Sequence, residues 1–439
     1  MRPIARPAGL GVSAFACVMT LGVLNGCDGQ NYAPSIAPAE PQSLDQIQGS
    51  STEPGFQEFE TNNQFSSATP VFMGDGGVVD IRGSLSGTAD IDVYDVGPIQ
   101  AGDRIIVDVM ASADQDVAAA LFDADQDLLM LNDDRAFFSG QLDPLIDMVA
   151  RHDSTACYLV VSSSPGNWGT GDYTMTVSKL PGQAIPGPRA QSVVLVFDGG
   201  SDVRISNMAG VQIPPFDAID ISPRYSGQTD TMIAAILSSV RKDYEGLNIQ
   251  FYASTDGNAP TTYATRVFFG TYNPQLLGLA DSVDEYNAQL VEEAIIYTDT
   301  FSLFMPLNPS LWEMGQAIGN VASHEIGHLL GLNHTEDVNG LMDISASANR
   351  MLQDQAFLRS AMHSTIFPAG YQNARQLVFD AVGGSTTFLT QPAPVVVKDD
   401  QYLLREALMT VPLSKDMFCS CLCKSCKERR VKRKLLGLE

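Results

Sequence analysis

Between about residue 56 and residue 179, short apolar runs alternate with glycine and aspartate turns. The runs are rich in β-branched residues, and none of them has the spacing of an amphipathic helix. Short strands with turn signals between them are typical of a β-sandwich. We therefore predict a β-sandwich over residues 56–179. Its strands are expected in the runs GVVDIRGSL, DRIIVDVMA, AAALFDA, CYLVVSSS and DYTMTVSK.

The pattern changes after residues 180–190, LPGQAIPGPRA, which are rich in proline and glycine and are interpreted as a linker. Residues 192–197 form a continuous apolar run, as in a buried strand, and residues 229–244 place apolar side chains at helical spacing. A second long helix is predicted at residues 311–332. Further strands are predicted at residues 248–254, 265–270 and 293–299. A small sheet packed on two helices, in an α+β domain over residues 191–384, is the economical assembly.

The N-terminal region has the pattern of an export signal. Arg2 and Arg6 precede an apolar stretch that is too short and too glycine-rich for a good membrane span. The segment ends in LNGC, which resembles the bacterial lipobox, and this resemblance implies that Cys27 is lipidated after removal of the signal. An ordinary secretory signal is the alternative. Residues 1–27 are thus predicted to be a lipoprotein-type signal peptide, and residues 28–55 a flexible tether.

The charge of the chain excludes one class of partner. The formal net charge is −25 and the pI is about 4.4, so a phosphate backbone would be repelled and nucleic acid is not expected to bind. Cys157 stands alone in an apolar run, so no disulfide framework is predicted near it. Together with the N-terminal signal, these features predict an exported protein, anchored by lipid to the bacterial envelope or secreted.

Three of the five histidines fall within HEIGHLLGLNH, residues 324–334. His324 and His328 are four residues apart, so both rings project from one face of a helix and can bind one metal ion. Glu325 is rotated by about 100° from His324, which places it too far round to be a ligand but allows it to reach a water on the metal. A helix with satisfied core histidines is the structural alternative.

Gly331 extends this pattern, because helices commonly end at a glycine with left-handed backbone. A turn there would bring His334 to the same metal ion from outside the helix. Three neutral imidazoles leave one position for water, and zinc lowers the pKa of such a water to about 7. Glu325 is then predicted to be the general base, and later to deliver the proton to the leaving amine.

At these residues the chain resembles the metzincins, zinc peptidases with an HExxHxxGxxH signature and a Met-turn. The resemblance covers VASHEIGHLLGLNH and the following GLMD, and the phrase is most similar to the matrixin branch. It implies a small twisted mixed sheet with long helices, and it makes Met342 the Met-turn residue beneath the zinc. It also implies that residues 293–299 form the sheet edge above the cleft, and that residues after Met342 wall the pocket beyond the cut, with residues 364–372 as the candidate. Thr335 follows the third histidine, where the branches differ, so the subfamily is left open.

The β-rich segment resembles the bacterial pre-peptidase C-terminal domain, a jelly-roll-like module of secreted peptidases. DIDVYDV, LFDADQDLL and GDYTMTV carry this resemblance. Asp123, Asp125 and Asp127 alternate as in a calcium loop, but Leu128 and Asp134 stand where that loop needs glycine and glutamate. Solvated turn aspartates are therefore the preferred interpretation, and a Ca²⁺ ion there is a weaker one.

Residues 385–439 are predicted to be a disordered or truncated tail. Its end combines CSCLCKSC, residues 419–426, with a basic segment. A thiolate metal site is the alternative, although the cysteine spacing matches no closed zinc framework.

We therefore predict a zinc-dependent metalloendopeptidase that hydrolyses peptide bonds of proteins, using a zinc-bound water activated by Glu325. Its partner is expected to be a protein or peptide substrate. A non-catalytic zinc-containing envelope protein and a zinc amidase acting on cell-wall peptide are the alternatives. Because the proposed chemistry lies after the linker, the sandwich is expected to fold separately and to influence targeting or access, not the catalytic step. Cleavage specificity, latency, oligomeric state and the choice of inner or outer membrane are left open.

Overall fold

The computed structural model describes residues 55–408, apart from residues 75, 88, 113–114, 136–139, 166–168 and 206–208. The predicted signal peptide with Cys27, nearly all of the tether, and the cysteine-rich end of the tail lie outside these residues. Within them, no helix has both the length and the apolar character needed to cross a bilayer.

The N-terminal part is a β-sandwich, as the sequence predicts. In the described residues it has two five-stranded sheets, in the orders β1-β3-β10-β5-β8 and β2-β4-β9-β6-β7. The short strand β1 runs parallel to β3, and the short strand β2 runs parallel to β4. The other ladders are antiparallel. The strands are β1 Phe56–Gln57, β2 Thr69–Pro70, β3 Val78–Leu85, β4 Ile91–Asp95, β5 Arg104–Ala111, β6 Val117–Phe122, β7 Leu128–Asn132, β8 Leu145–Val149, β9 Tyr158–Ser163 and β10 Gly171–Leu180.

Strand β6 is buried on both faces, along all six of its residues. Successive side chains of a strand point to opposite faces. Val117, Ala119 and Leu121 belong to the core between the two sheets. Ala118, Ala120 and Phe122 belong to a separate cluster on the outer side of the second sheet. The outer face of this sheet is therefore covered by another part of the chain.

The second part is an α+β unit, which confirms the predicted fold class. Its five-stranded sheet has the order β14-β11-β15-β17-β16 among the described residues. The ladders are parallel except for β16, which runs antiparallel to β17. The elements are β11 Gln191–Val196, β12 Gly200–Val203, β13 Val211–Ile213, α1 Ala218–Ile221, α2 Thr229–Asp243, β14 Ile249–Ala253, β15 Thr265–Phe269, β16 Gly278–Ala280, β17 Glu293–Ile296, α3 Leu311–His328, α4 Ala348–Met351, β18 Arg359–Ala361, β19 Tyr371–Asn373, α5 Ala374–Val382 and α6 Asp400–Leu408.

The edge of this sheet differs from the prediction. Residues 293–299 were expected to form the edge, but β17 lies between β15 and β16 and is buried along most of its length. A nearly continuous apolar strand is typical of the interior of a parallel sheet. The edge on this side of the sheet is the three-residue strand β16, whose sequence GLA is too short to be predicted from periodicity.

Helices α2 and α3 pack closely through small residues. A Cβ on Gly319 would lie 2.5 Å from the Ser239 hydroxyl oxygen, so only glycine permits this approach. Helix α3 begins with a capping box, in which the Ser310 side chain accepts from the Glu313 amide and Glu313 accepts from the Ser310 amide. It ends at His328, four residues before the predicted end, because the chain turns there towards Gly331.

Part of the tail is ordered, contrary to the prediction for residues 385–439. Helix α6 lies against the second unit through Arg405, which is buried. Its Nη1 and Nη2 atoms lie 2.7 and 3.1 Å from the Glu313 carboxylate, and its Nε donates to the Leu307 carbonyl at 2.9 Å. A buried arginine satisfied on several sides is a tertiary feature, so the hydrophobic pattern of the tail did not predict it.

Candidate metal centre and active site

The last turns of α3 bring two histidines together. His324 and His328 are buried, their ring centroids lie 4.7 Å apart, and their Nε2 atoms are separated by 3.0 Å. This is the arrangement expected for two residues four positions apart on one helix face.

The turn after α3 adds His334 to this pair. Gly331 has φ +94°, in the left-handed region, and a Cβ there would lie 3.0 Å from the Asp284 carbonyl oxygen. The turn is closed by the Gly331 amide, which donates to the His328 carbonyl at 2.9 Å. His334 thereby reaches the pair from outside the helix, and its Nε2 lies 3.1 Å from that of His328. The structure thus brings the three predicted ligands together.

Backbone carbonyls orient two of the rings. Nδ1 of His324 lies 2.5 Å from the Leu341 carbonyl oxygen, and Nδ1 of His328 lies 2.7 Å from that of Leu332. Each Nδ1 therefore carries the proton and donates it, and each Nε2 keeps its lone pair. Burial lowers the pKa of His324 to about 4, and burial together with the neighbouring His324 lowers the pKa of His328 well below its usual value.

This tautomer assignment tests whether a metal ion fits. Two neutral imidazoles whose Nδ1–H groups are engaged elsewhere offer only lone pairs at Nε2, so a contact of 3.0 Å between these atoms is not a hydrogen bond. A shared cation relieves the repulsion between them. Three imidazole nitrogens within 4.8 Å of one another match the donor set of zinc, which binds each at about 2.0–2.1 Å. The residues present therefore fit a zinc ion.

Glu325 lies between α3 and the edge strand of the sheet. It is 1 % exposed, and its Oε2 atom has no hydrogen-bond partner in the described part of the chain. A Cβ on Gly278 of β16 would collide with its carboxylate, so glycine is required where the strand passes. Burial raises the pKa of Glu325 to about 8. Glu325 therefore offers a buried carboxyl, directly after His324 in the chain, with one oxygen that has no partner among the described residues.

Met342 lies directly against α3 near the histidines. It is buried, and a Cβ on Gly327 would lie 2.7 Å from its sulfur. Its carbonyl accepts from the Thr335 amide at 2.9 Å, which ties the residue to the segment carrying His334. The structure thus places the predicted Met-turn residue next to the metal-binding helix, on a chain that also supplies the Leu341 carbonyl.

Several groups that shape the site were missed by the sequence analysis. Gly278 lies in a strand too short to predict, and the Leu332 and Leu341 carbonyls act through the backbone, which any residue type provides. The amide of Asp284 donates to the His328 carbonyl at 3.0 Å and covers the end of α3. Gly331 was the one signal in the sequence that another segment approaches closely here.

The aspartates of the predicted calcium loop are engaged with protein groups. Oδ1 of Asp123 accepts from the amides of Asp125 and Asp127, at 2.9 and 2.8 Å. Asp127 forms an ion pair with Arg359 of β18 at 2.6 Å. These contacts agree with the preferred interpretation of a turn and connect the sandwich to the second unit.

A different acidic group lies elsewhere in the sandwich. Carboxylate oxygens of Glu58, Glu60 and Asp92 lie within 4.8 Å of one another. Asp92 is fully buried and accepts from the Tyr173 hydroxyl at 2.6 Å, while its Oδ1 has no partner among the described residues. Burial, opposed by that hydrogen bond and reinforced by Glu58, raises the pKa of Asp92 to about 8.

The second unit, with its three convergent histidines, is a metzincin-like domain, and a β-sandwich precedes it. Residues 228–356 match the family model of the matrixins, which confirms the resemblance seen in the sequence. This match covers α2, the sheet strands after it, α3, the three histidines and Met342. A comparison with curated proteins finds no significant match.

Among solved structures, the archaemetzincin of Methanopyrus kandleri is 12% identical, with 47% of this chain and 100% of that chain covered and a TM-score of 0.24. The pre-peptidase C-terminal domain of a Bacillus anthracis collagenase is 19% identical, with 25% and 94% covered and a TM-score of 0.19. A periplasmic inhibitor of g-type lysozyme from Aeromonas hydrophila is 15% identical, with 26% and 96% covered and a TM-score of 0.22. Because these scores are low, the assignment rests on the family match and the site geometry.

The geometry predicts that His334 is needed for zinc binding. His334→Ala should weaken zinc affinity by more than the roughly 10–100-fold that loss of an outer hydrogen-bond partner typically costs. Zinc content after purification and competition with a chelator measure this. His152→Ala is the matched control, because that exposed side chain contacts the Asp380 carboxylate, and it should retain zinc. Full zinc in His334→Ala would exclude the three-histidine centre.

Proposed function

We propose that this protein is a zinc-dependent endopeptidase that hydrolyses peptide bonds of proteins. The observation that carries the proposal is the centre itself: Nε2 of His328 lies 3.0 and 3.1 Å from those of His324 and His334, and Glu325, the residue after His324, is buried with an Oε2 atom that has no partner among the described residues. The matrixin match over the same residues supports the same class of reaction.

Each residue of the centre has one part in the chemistry. His324, His328 and His334 would hold zinc, which when bound acts as a Lewis acid and lowers the pKa of a water to about 7. Glu325 takes the proton of the attacking water at its carboxylate and delivers it to the nitrogen of the leaving amine. Burial of this carboxyl keeps competing hydrogen-bond donors away from the oxygen that accepts the proton.

Glu325→Gln tests this role. The amide preserves shape but cannot accept the proton, so turnover of an unfolded protein substrate should fall by about 10²–10⁴-fold while zinc is retained. Glu245→Gln, the same change at an exposed position after α2, should leave turnover unchanged.

Three other outcomes would contradict the proposal. Unchanged turnover in Glu325→Gln would assign the proton transfer to another group. A zinc-loaded protein that cleaves no peptide or protein would be a binding protein instead. Cleavage confined to cell-wall peptide would identify a zinc amidase.

We further propose that a calcium ion of the sandwich binds at Glu58, Glu60 and Asp92. Three carboxylates this close repel one another, which a divalent cation relieves, and oxygen donors suit Ca²⁺. Calcium should raise the melting temperature of the wild type and of Asp125→Asn, but not of Asp92→Asn. A rise in the melting temperature of Asp92→Asn but not of Asp125→Asn would place calcium at the Asp123–Asp127 turn. No rise in the wild type would reject a calcium site in the sandwich.

We also propose that the protein is exported and anchored by lipid at Cys27. The LNGC segment motivates this proposal. Mass spectrometry of protein from a bacterial membrane fraction should show lipid on an N-terminal Cys27, with residues 1–26 removed. Cys27→Ser should be released from the membrane. A lipid-free N-terminus at another position would contradict the anchor and leave the peptidase proposal untouched.

A further inference from the structure

The outer face of the second sandwich sheet is built to be covered. Its apolar residues form one cluster with three residues that follow the metal centre in sequence, Met362, Ile366 and Phe367. Exposed sheet faces normally carry polar side chains. The sandwich side of the cluster consists of Val93, Ala118, Ala120, Phe122, Leu128, Leu131 and Val160.

Two aromatic rings lie at the centre of this contact. Phe122 and Phe367 are both fully buried, with ring centroids 5.9 Å apart. Gly370 has φ +78°, and a Cβ there would collide with the Phe122 ring. The segment 362–370 is therefore shaped around a side chain of the sandwich.

The same segment is hydrogen-bonded to the third histidine. The His363 amide donates to the His334 carbonyl at 3.0 Å, and Met362 forms a β-bridge with Thr335. The Met362 amide donates to the Gly370 carbonyl at 3.0 Å, which closes the segment into a loop. A displacement of this loop would be passed directly to the backbone of His334.

A second contact supports the other side of the centre. The Tyr286 hydroxyl donates to the Leu129 carbonyl of β7 at 2.8 Å, and the Arg151 guanidinium lies 4.2 Å from the centre of the Tyr286 ring. The backbone of residues 284–286 in turn packs on Gly331 at the end of α3. Both chain segments that flank the His334 turn are thus held by the sandwich.

We propose that the β-sandwich is a structural part of the catalytic site, with Phe122 and Phe367 as positioning residues. Through the loop 362–370 they hold His334 in place for zinc, and they support the segment that the metzincin resemblance makes a candidate wall of the pocket beyond the cut bond. The zinc part rests only on the metal centre, whereas the selectivity part rests on the proposed function. This proposal of a shared site differs from the expectation that the sandwich folds separately and influences targeting or access.

Zinc affinity of the full chain is the first measurement. Phe122→Ala removes the ring that the loop packs on, and should weaken zinc binding, measured by chelator competition, by about tenfold or more, as for loss of an outer support of a ligand. Ile146→Ala is the control, because Ile146 is equally buried but lies in the core between the sheets. It should leave zinc affinity at the wild-type value.

Peptide selectivity is the second measurement. Two peptides that differ only in carrying Ala or Leu after the cut bond are compared by kcat/KM. Phe122→Ala should shift their ratio by about tenfold, the range by which pocket shape discriminates small apolar groups. Ile146→Ala should keep the ratio, since a general loss of stability lowers both rates equally. If the wild type cleaves neither these peptides nor an unfolded protein substrate, the proposed function fails while zinc affinity still tests the positioning role.

The proposal is overturned if Phe122→Ala equals the wild type in both measurements, or if Ile146→Ala changes them as much as Phe122→Ala does. If Phe122→Ala does not fold, Phe122→Leu takes its place. This variant keeps an apolar side chain but loses the ring contact with Phe367, so it should change zinc affinity in the same direction by a smaller factor. Wild-type affinity in a folded Phe122→Leu would equally reject the positioning role.

Discussion

The structure of the site depends on the repulsion between the Nε2 lone pairs of two histidines, which no other described group of the protein relieves. His324 and His328 each commit Nδ1 to a backbone carbonyl, which leaves two Nε2 lone pairs 3.0 Å apart in a buried site. Without a cation this arrangement is unfavourable, so the surrounding chain must impose it. That constraint comes from helix α3, the turn at Gly331 and the carbonyls of Leu332 and Leu341. A zinc ion bound there would relieve the repulsion between the lone pairs.

The constraint extends beyond the metal-binding helix. His334 lies on irregular backbone, which is held on one side by Met342 and Thr335 and on the other by the loop 362–370. That loop has little regular structure and takes its shape from the apolar face of the sandwich. His334 is therefore next to a loop that packs on the sandwich, and this packing explains why β6 is apolar on both faces.

The buried carboxyl groups of the two units have different surroundings. In the second unit burial raises the pKa of Glu325, and a cation held by the histidines would oppose this shift and favour the ionised carboxylate that can accept a proton. In the sandwich, Asp92 is buried beside two other carboxylates and two tyrosine hydroxyls, an arrangement stabilised by protons or by a cation. The aspartates that look most like a metal loop in the sequence instead accept amide hydrogens and pair with Arg359, so they serve as a connection between the units.

The sequence by itself determined the features that depend on local spacing. The four-residue spacing of His324 and His328, the left-handed glycine before His334, the strand-rich first half and the helical periodicity of α2 and α3 all follow from backbone geometry within one segment. Tertiary structure alone decided which strand forms the sheet edge, because β16 is only three residues long and is recognised by its pairing. It also decided that Arg405 docks the tail and that Phe122 meets Phe367. These contacts join residues far apart in the chain. The periodicity of apolar residues within one segment does not predict which distant apolar face that segment will pack against.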